Sequence, residues 1–204
     1  MDVSRKTKVG ARQEATDCAT ALAIRVRFPR ARDRAHYRRY RARMAIDPSE
    51  FRRVLGHWIT GVSVVAARSA NGEPCGLTAN AVTSLSLQPP LVLACVDRAA
   101  NSHDCIHRAG FFTINMLRAD GQAIARRFAG PDAEEKFTGL AWHPAPSGAP
   151  ILQDALAWID CRVHDVHPGG DHTIFIGEVL GAGTSEGDPL IYYRGRYGRH
   201  GSGN

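Results

Sequence analysis

The sequence predicts a mainly β domain, an antiparallel barrel with a few peripheral helices, and three observations carry that reading. About seven segments are rich in Val, Ile, Thr and Tyr, the side chains that suit a pleated surface. Asn71-Gly72, a strong hairpin signal, separates the first two of them. Helical patterning occurs only between strands, so the helices are accessories to the sheet. Closure into a barrel follows from the strand number, because an open sheet would leave long unpaired edges.

Taken in chain order, a helix is expected over 48–57, where Asp47 or Ser49 can cap and Pro48 suits the first turn. "GVSVVAARS" forms the first strand, and "CGLTANAVTSLSLQPPLVLACVD" continues it into a meander of at least three strands. A second helix spans 101–108 and stops before Gly110. A third spans 119–128, with Ile124 and Phe128 on one apolar stripe. "FFTINML", "ALAWIDCRVHDV", "DHTIFIGEVLGAG" and "PLIYYRG" supply the remaining strands.

Charge divides the chain. The net charge is +6, yet residues 1–45 carry 13 Lys and Arg against 4 Asp and Glu, whereas 46–204 carry 13 against 16. The basic excess therefore belongs to an N-terminal extension, 1–45, which lacks helical or strand periodicity and reads as disordered. Met44 stands just before the domain, 46–200, and is a candidate start. A mildly acidic folded part without a reading element argues against nucleic acid as a partner. No apolar run reaches the ~20 residues of a membrane span, and no secretory signal opens the chain, so no membrane association and a cytoplasmic location are expected.

Five cysteines, Cys18, Cys75, Cys95, Cys105 and Cys161, make an odd number with no C-x-x-C pair. Neither a disulfide framework nor a zinc ribbon is expected, which suits a reducing compartment. His103 and His107 flank Cys105 at helical spacing, but a solvated helix face explains them equally well. Cys161, His164 and His167 alternate across a strand and cannot form one compact site, so no metal is expected. The chain has no phosphate-binding loop, no G-x-S-x-G elbow and no H-E-x-x-H; "GAGTSEG" at 181–187 reads as a turn.

The richest segment is "GLTANAVTSLSLQPPLVL", where Thr78, Asn80, Thr83, Ser84 and Ser86 concentrate small polar groups and Gly76, Ala79 and Ala81 leave room. Such a surface could bind a phosphate, a ribityl chain or a flat polar ring, or could be an ordinary solvated sheet face. Together with "HWITGVSVV", "NSHD" leading to "FFTINML" and "RRFAG", and "GDHTIFIGEV" followed by "PLIYYRGRY", it resembles the flavin reductase-like, FMN-binding split-barrel family. The resemblance is to the small reductase components of two-component flavin-dependent monooxygenases and covers residues 46 to 197.

That resemblance implies a Greek-key antiparallel split β-barrel forming a homodimer. It implies an oxidoreductase that passes hydride from NADH or NADPH to FMN or FAD and supplies reduced flavin to a partner monooxygenase. Carried onto this chain, Thr78, Ala79, Asn80, Ser84 and Leu85 would line the isoalloxazine and ribityl portion, and Ala100, Asn101 and Ser102 would reach the phosphate end. Asp171 and His172 match the nicotinamide side, and Tyr197 would close that pocket. Ala81, Val82 and His57-Trp58 depart from the usual pattern. No side chain is expected to act as a catalytic acid or base, because the cofactor carries the chemistry. The competing readings are a non-catalytic flavin- or haem-binding barrel, and a pyridoxamine-phosphate-type oxidase, which would need a basic phosphate pocket not visible in the sequence.

Overall fold

A computed structural model of the protein describes residues 46–131 and 135–200. The extension 1–45, expected to be disordered, lies outside the described residues. The described part opens with helix α1 (Pro48–Leu55), whose N-cap Asp47 accepts a 2.7 Å hydrogen bond from the Ser49 amide, with Pro48 in the first turn. None of its residues is buried.

Seven strands form the main sheet: β2 (Ser63–Arg68), β3 (Pro74–Ala79), β4 (Val82–Leu87), β5 (Pro90–Asp97), β6 (Phe111–Leu117), β9 (Ala155–Gly169) and β10 (His172–Thr184). Their order is β3-β2-β6-β9-β10-β5-β4. Two small sheets flank it: β1 (Thr60–Gly61) with β11 (Leu190–Tyr193) and β12 (Arg196–Arg199), and β7 (Trp142–Pro144) with β8 (Pro150–Leu152). Helix α2 (His103–Ala109) ends at Gly110, whose φ of 71° is the left-handed conformation that glycine adopts without cost. Helix α3 (Gln122–Ala129) buries Ala125 and Phe128.

The expected meander is corrected. β2 and β3 form a hairpin, as do β4 and β5, but β3 and β4 do not pair and are the two ends of the seven-stranded sheet. At Asn80-Ala81 the chain leaves one end of the sheet and joins the other, so hydrogen bonding does not close the barrel. Asn71-Gly72 does lie in a hairpin loop, although the loop spans Ser69–Glu73 rather than two residues, and Gly72 supplies its positive φ of 86°. The short strands β1, β7, β8 and β12 have no sequence signal of their own.

Strand β2 explains why its sequence is apolar without alternation. Val65 and Ala67 point into one core with Phe112, Ile114, Cys161 and Phe175, while Val64 and Ala66 point into a second with Leu117, Phe128, Leu152 and Leu190. Both faces are buried, so no polar face is tolerated. The buried Asn115 amide on β6 joins the second core to β8, accepting from Leu152 N at 2.9 Å and donating to Pro150 O at 3.2 Å.

Cys75 on β3 and Cys105 on α2 form a disulfide, against the expectation from the cysteine count. An odd total without C-x-x-C spacing carries no information about two residues 30 apart that the fold brings to a Cα separation of 6.5 Å. Cys161 is buried and Cys95 half-buried, both as free thiols.

Candidate functional site

The opening between β3 and β4 is the starting point of the site. A hollow of about 740 Å³ lies there, walled by Trp58, Ile59, Asn80, Val82, Thr83 and Cys95 among others. Asn80 is shared with a narrower hollow of about 190 Å³ that Thr78, Tyr192 and Tyr197 line. Thr78 in turn is shared with a third hollow, about 400 Å³, whose walls include Ala100, Asn101, Phe128 and Lys136. The three hollows are therefore neighbours, Asn80 standing between the first two and Thr78 between the second and third, and together they make up a groove beside β3.

Local sequence fixes each wall. Gly76 is buried and closely packed, so that a Cβ there would sit 3.0 Å from the Val65 carbonyl oxygen and 3.1 Å from the Phe128 ring. Its carbonyl accepts from Ser102 Oγ at 2.5 Å and from Lys136 Nζ at 3.3 Å, which draws α2 and the 135–138 segment to β3. That segment is held to α3 by Arg127, whose Nε donates to Glu135 O at 2.9 Å and whose Nη2 donates to Thr138 O at 2.5 Å. Thr78 Oγ1 donates to Ala125 O at 2.7 Å, leaving the hydroxyl's lone pairs to accept. Tyr192 and Tyr197 stand with ring centroids 5.4 Å apart, and the Arg126 guanidinium lies 5.8 Å from the Tyr197 ring. Burial is the main cause that pushes the Tyr197 hydroxyl up, with Tyr192 adding to it and Arg126 opposing, so this phenol stays a neutral donor.

The expected site residues divide. Thr78, Asn80, Ala100, Asn101 and Tyr197 line the groove. Ser102 is buried beside it and acts on β3 through Gly76. Ala79 is buried in the first core and does not line the groove. Ser84 and Leu85 lie further along β4, beyond Val82 and Thr83, which occupy the wall instead. Asp171, exposed in the turn between β9 and β10, and His172, the first residue of β10, are bonded to each other at 2.7 Å. They do not line the groove, but His172 pairs in register with Asp97 on β5, and Asp97 borders the third hollow.

Sequence reasoning missed Lys136, Tyr192 and Cys95, whereas Trp58, singled out as a departure from the family pattern, lines the first hollow. Lys136 is buried, and it supplies the basic group at the end of the groove that no motif announces. Trp58 is 75 % exposed and lines the first hollow together with Leu55 and Ile59, which are also exposed. For Cys95, burial raises the thiol above its ordinary value, so it is present as SH.

The groove's dimensions, its small polar groups and its basic end fit a flat ring with a phosphorylated chain. Residues 55–201 match a family described as a flavin reductase like domain. A flavin reductase of Pseudomonas putida is 44% identical over 157 residues, which are 76% of this chain and 92% of that protein. The reductase component of a 4-nitrophenol 4-monooxygenase/4-nitrocatechol 2-monooxygenase of Rhodococcus opacus is 46% identical over 153 residues, 75% of this chain and 81% of that one. Among solved structures, an NADH:FAD oxidoreductase of Streptomyces globisporus in complex with NAD and FAD fragments superposes with a TM-score of 0.71 at 37% identity, covering 78% of this chain and 98% of that one.

Proposed function

The chain belongs to the flavin reductase-like family, NAD(P)H-dependent flavin reductases, and we propose that the groove from Trp58 to Lys136 is its flavin site. The observation that carries this reading is the adjacency of three hollows that share Asn80 and Thr78 as walls. A flat ring fits the largest hollow, a ribityl chain the narrow one, and a phosphate the end where Asn101 and Lys136 stand.

Flavin, when bound, would supply the redox chemistry as acceptor of the hydride that the nicotinamide nucleotide donates. The chain's own contribution is orientation. Asn80 presents an amide at the junction of the ring and ribityl sections, its Nδ2 3.4 Å from Thr60 Oγ1 and so free to turn to a ligand. Thr78 accepts from ribityl hydroxyls while its own proton stays on Ala125 O. Tyr192 and Tyr197 wall the narrow section and exclude water. Lys136 offsets phosphate charge in a partly dehydrated setting, where an ion pair is stronger than in bulk water. His172 and Asp171, outside the groove yet beside its phosphate end, are assigned to the nicotinamide nucleotide rather than to flavin.

A second copy of the chain covers the apolar surface of α1 and Trp58, forming a homodimer. Its support is that Phe51, Leu55, Trp58 and Ile59 are each more than half exposed, an arrangement costly in water. Reduced flavin leaves for a partner monooxygenase, the role that the relative from Rhodococcus opacus has by name. Dependence on reduced nicotinamide nucleotide favours the cytoplasm; the cysteines no longer add to that. Among the described residues no helix is long and apolar enough to cross a membrane. The test is aerobic NADH or NADPH oxidation with FMN and then FAD added, alongside size-exclusion measurement of mass.

A further inference from the structure

Among the described residues one covalent cross-link, Cys75–Cys105, joins β3 to α2. Beside it the same two elements are joined by Ser102 Oγ, which donates to the Gly76 carbonyl oxygen at 2.5 Å. Gly76 follows Cys75 on β3, and Ser102 is the N-cap of the helix that carries Cys105. Asn101, one residue earlier, walls the third hollow and donates to Pro131 O at 2.7 Å. The state of the cross-link therefore bears on the phosphate end of the groove through its own neighbours in the chain.

The cross-link is also reachable. Cys75 is half-buried and stands in the wall of a fourth hollow of about 520 Å³, together with Glu73, Phe137 and Trp142. Cys105 is half-buried but outside that wall, so a thiolate in the hollow meets Cys75, and Cys105 becomes the leaving sulfur. The fold does not need the bond as a staple: Ala79 of β3 and Ile106 of α2 share the first core, in a domain large enough to fold on burial alone. In the reducing compartment that nicotinamide dependence favours, a disulfide is as a rule transient or redox-sensing rather than structural.

We propose that Cys75–Cys105 is a reversible thiol–disulfide site, opened by a dithiol entering the fourth hollow and closed by a peroxide, and that opening it weakens flavin binding. The effect on flavin rests on the flavin assignment of the groove; the exchange chemistry does not. In opening, one thiolate of the dithiol bonds to Cys75 Sγ, the bond between the two protein sulfurs breaks, and Cys105 leaves as a thiolate and takes a proton. The second sulfur of the dithiol then attacks the first, and Cys75 leaves and is protonated. Two electrons and two protons have passed to the protein, and the dithiol ends as a disulfide. In closing, one cysteine thiolate attacks a peroxide oxygen, the O–O bond breaks, and a sulfenic acid forms; the other cysteine displaces its oxygen as water. With hydrogen peroxide the sum is two thiols and one peroxide giving one disulfide and two waters. Closed, the bond holds Asn101 and Ser102 against β3. Open, they keep the Ser102–Gly76 hydrogen bond and the packing of Ile106 without the covalent tie, so a ligand has to order that wall as it binds, which costs affinity.

The test uses the full chain, treated with dithiothreitol or with hydrogen peroxide and freed of the reagent before measurement. Iodoacetamide followed by mass spectrometry should find Cys75 labelled in the folded reduced protein and protected after peroxide. The reduced protein should keep a cooperative unfolding transition above the assay temperature. Its Kd for FMN or FAD should exceed that of the oxidised protein by about fivefold or more, the scale of a typical coupling between two sites. Cys75→Ser and Cys105→Ala should each give the reduced value after either treatment, which separates this pair from the free thiols of Cys95 and Cys161. Labelling of Cys75 only in denaturant, unfolding on reduction, equal flavin affinity in the two states, or a redox response that survives in either variant would overturn the proposal. Failure of the underlying flavin reading would look different: Cys75 would still exchange, and neither state would bind flavin.

Discussion

Ser102 Oγ donates to the Gly76 carbonyl oxygen at 2.5 Å, across 26 residues of sequence, and this bond ties the phosphate end of the groove to the sheet. Both partners are buried, so the carbonyl cannot turn to water if the hydroxyl is removed. Ser102→Ala is expected to cost about 1 to 3 kcal/mol in denaturant unfolding, with Lys136 Nζ at 3.3 Å remaining as a weaker donor. An unchanged unfolding midpoint would contradict this role.

The two-ligand layout predicts a split between variants. Asn80→Ala should weaken flavin binding, because Asn80 lies where two sections of the groove meet. His172→Ala should raise KM for NADH or NADPH and leave flavin affinity nearly unchanged, since His172 stands outside the groove. Loss of one hydrogen bond costs about 0.5 to 1.5 kcal/mol for a neutral partner and about 1.5 to 3 for a charged one, so kcat/KM should fall several-fold to a hundredfold. Equal loss of flavin affinity in both variants would place His172 on the flavin instead.

The Cys75–Cys105 disulfide closes a loop of 30 residues. Chain-entropy reasoning gives it about 3 to 4 kcal/mol of stability, through restriction of the unfolded chain. Reduction should lower Tm, and Cys105→Ala should match the reduced wild type and become insensitive to reductant. Cys161 should resist alkylation in the folded state, its thiol pushed up to about 12, chiefly by burial and secondly by Asp160. A Tm indifferent to reductant would show that the bond does not form.

Several exposed carboxylates are held below their ordinary values by hydrogen bonds: Asp171 by His172, Asp104 by His103, Glu178 by Arg162 and Glu50 by Arg53. Each has a lower value folded than unfolded, so its stabilising effect is complete above the ordinary carboxylate range and is lost as pH falls through the lowered value. Tm should be level from neutral pH to about 5 and fall below about 4, and salt should shrink the fall because these groups are solvated. A fall confined to the range above about 5 would point to histidines rather than these carboxylates.

The sequence made some parts of this structure legible and hid others for physical reasons. β6 coincides with "FFTINML", and α2 ends at Gly110, because apolar runs and a left-handed glycine are local signals. The separation of β3 from β4 was hidden, since pairing is decided by where the chain goes after Asn80-Ala81, not by the β propensity of either strand. In the site, Thr78, Asn80 and Asn101 were accessible through motif likeness. Lys136 was not, because its position depends on Arg127 holding the 135–138 segment to α3. Ser84 and Leu85 share a strand with the wall but lie past its end.

The central claim is that this chain transfers hydride from a nicotinamide nucleotide to flavin held in the groove. Steady-state oxidation of NADH and NADPH by purified protein, measured with no flavin, with FMN and with FAD, tests it most directly. The account predicts turnover only when flavin is supplied or retained, with wild type exceeding Asn80→Ala at subsaturating flavin. Flavin binding without any nucleotide oxidation would contradict it.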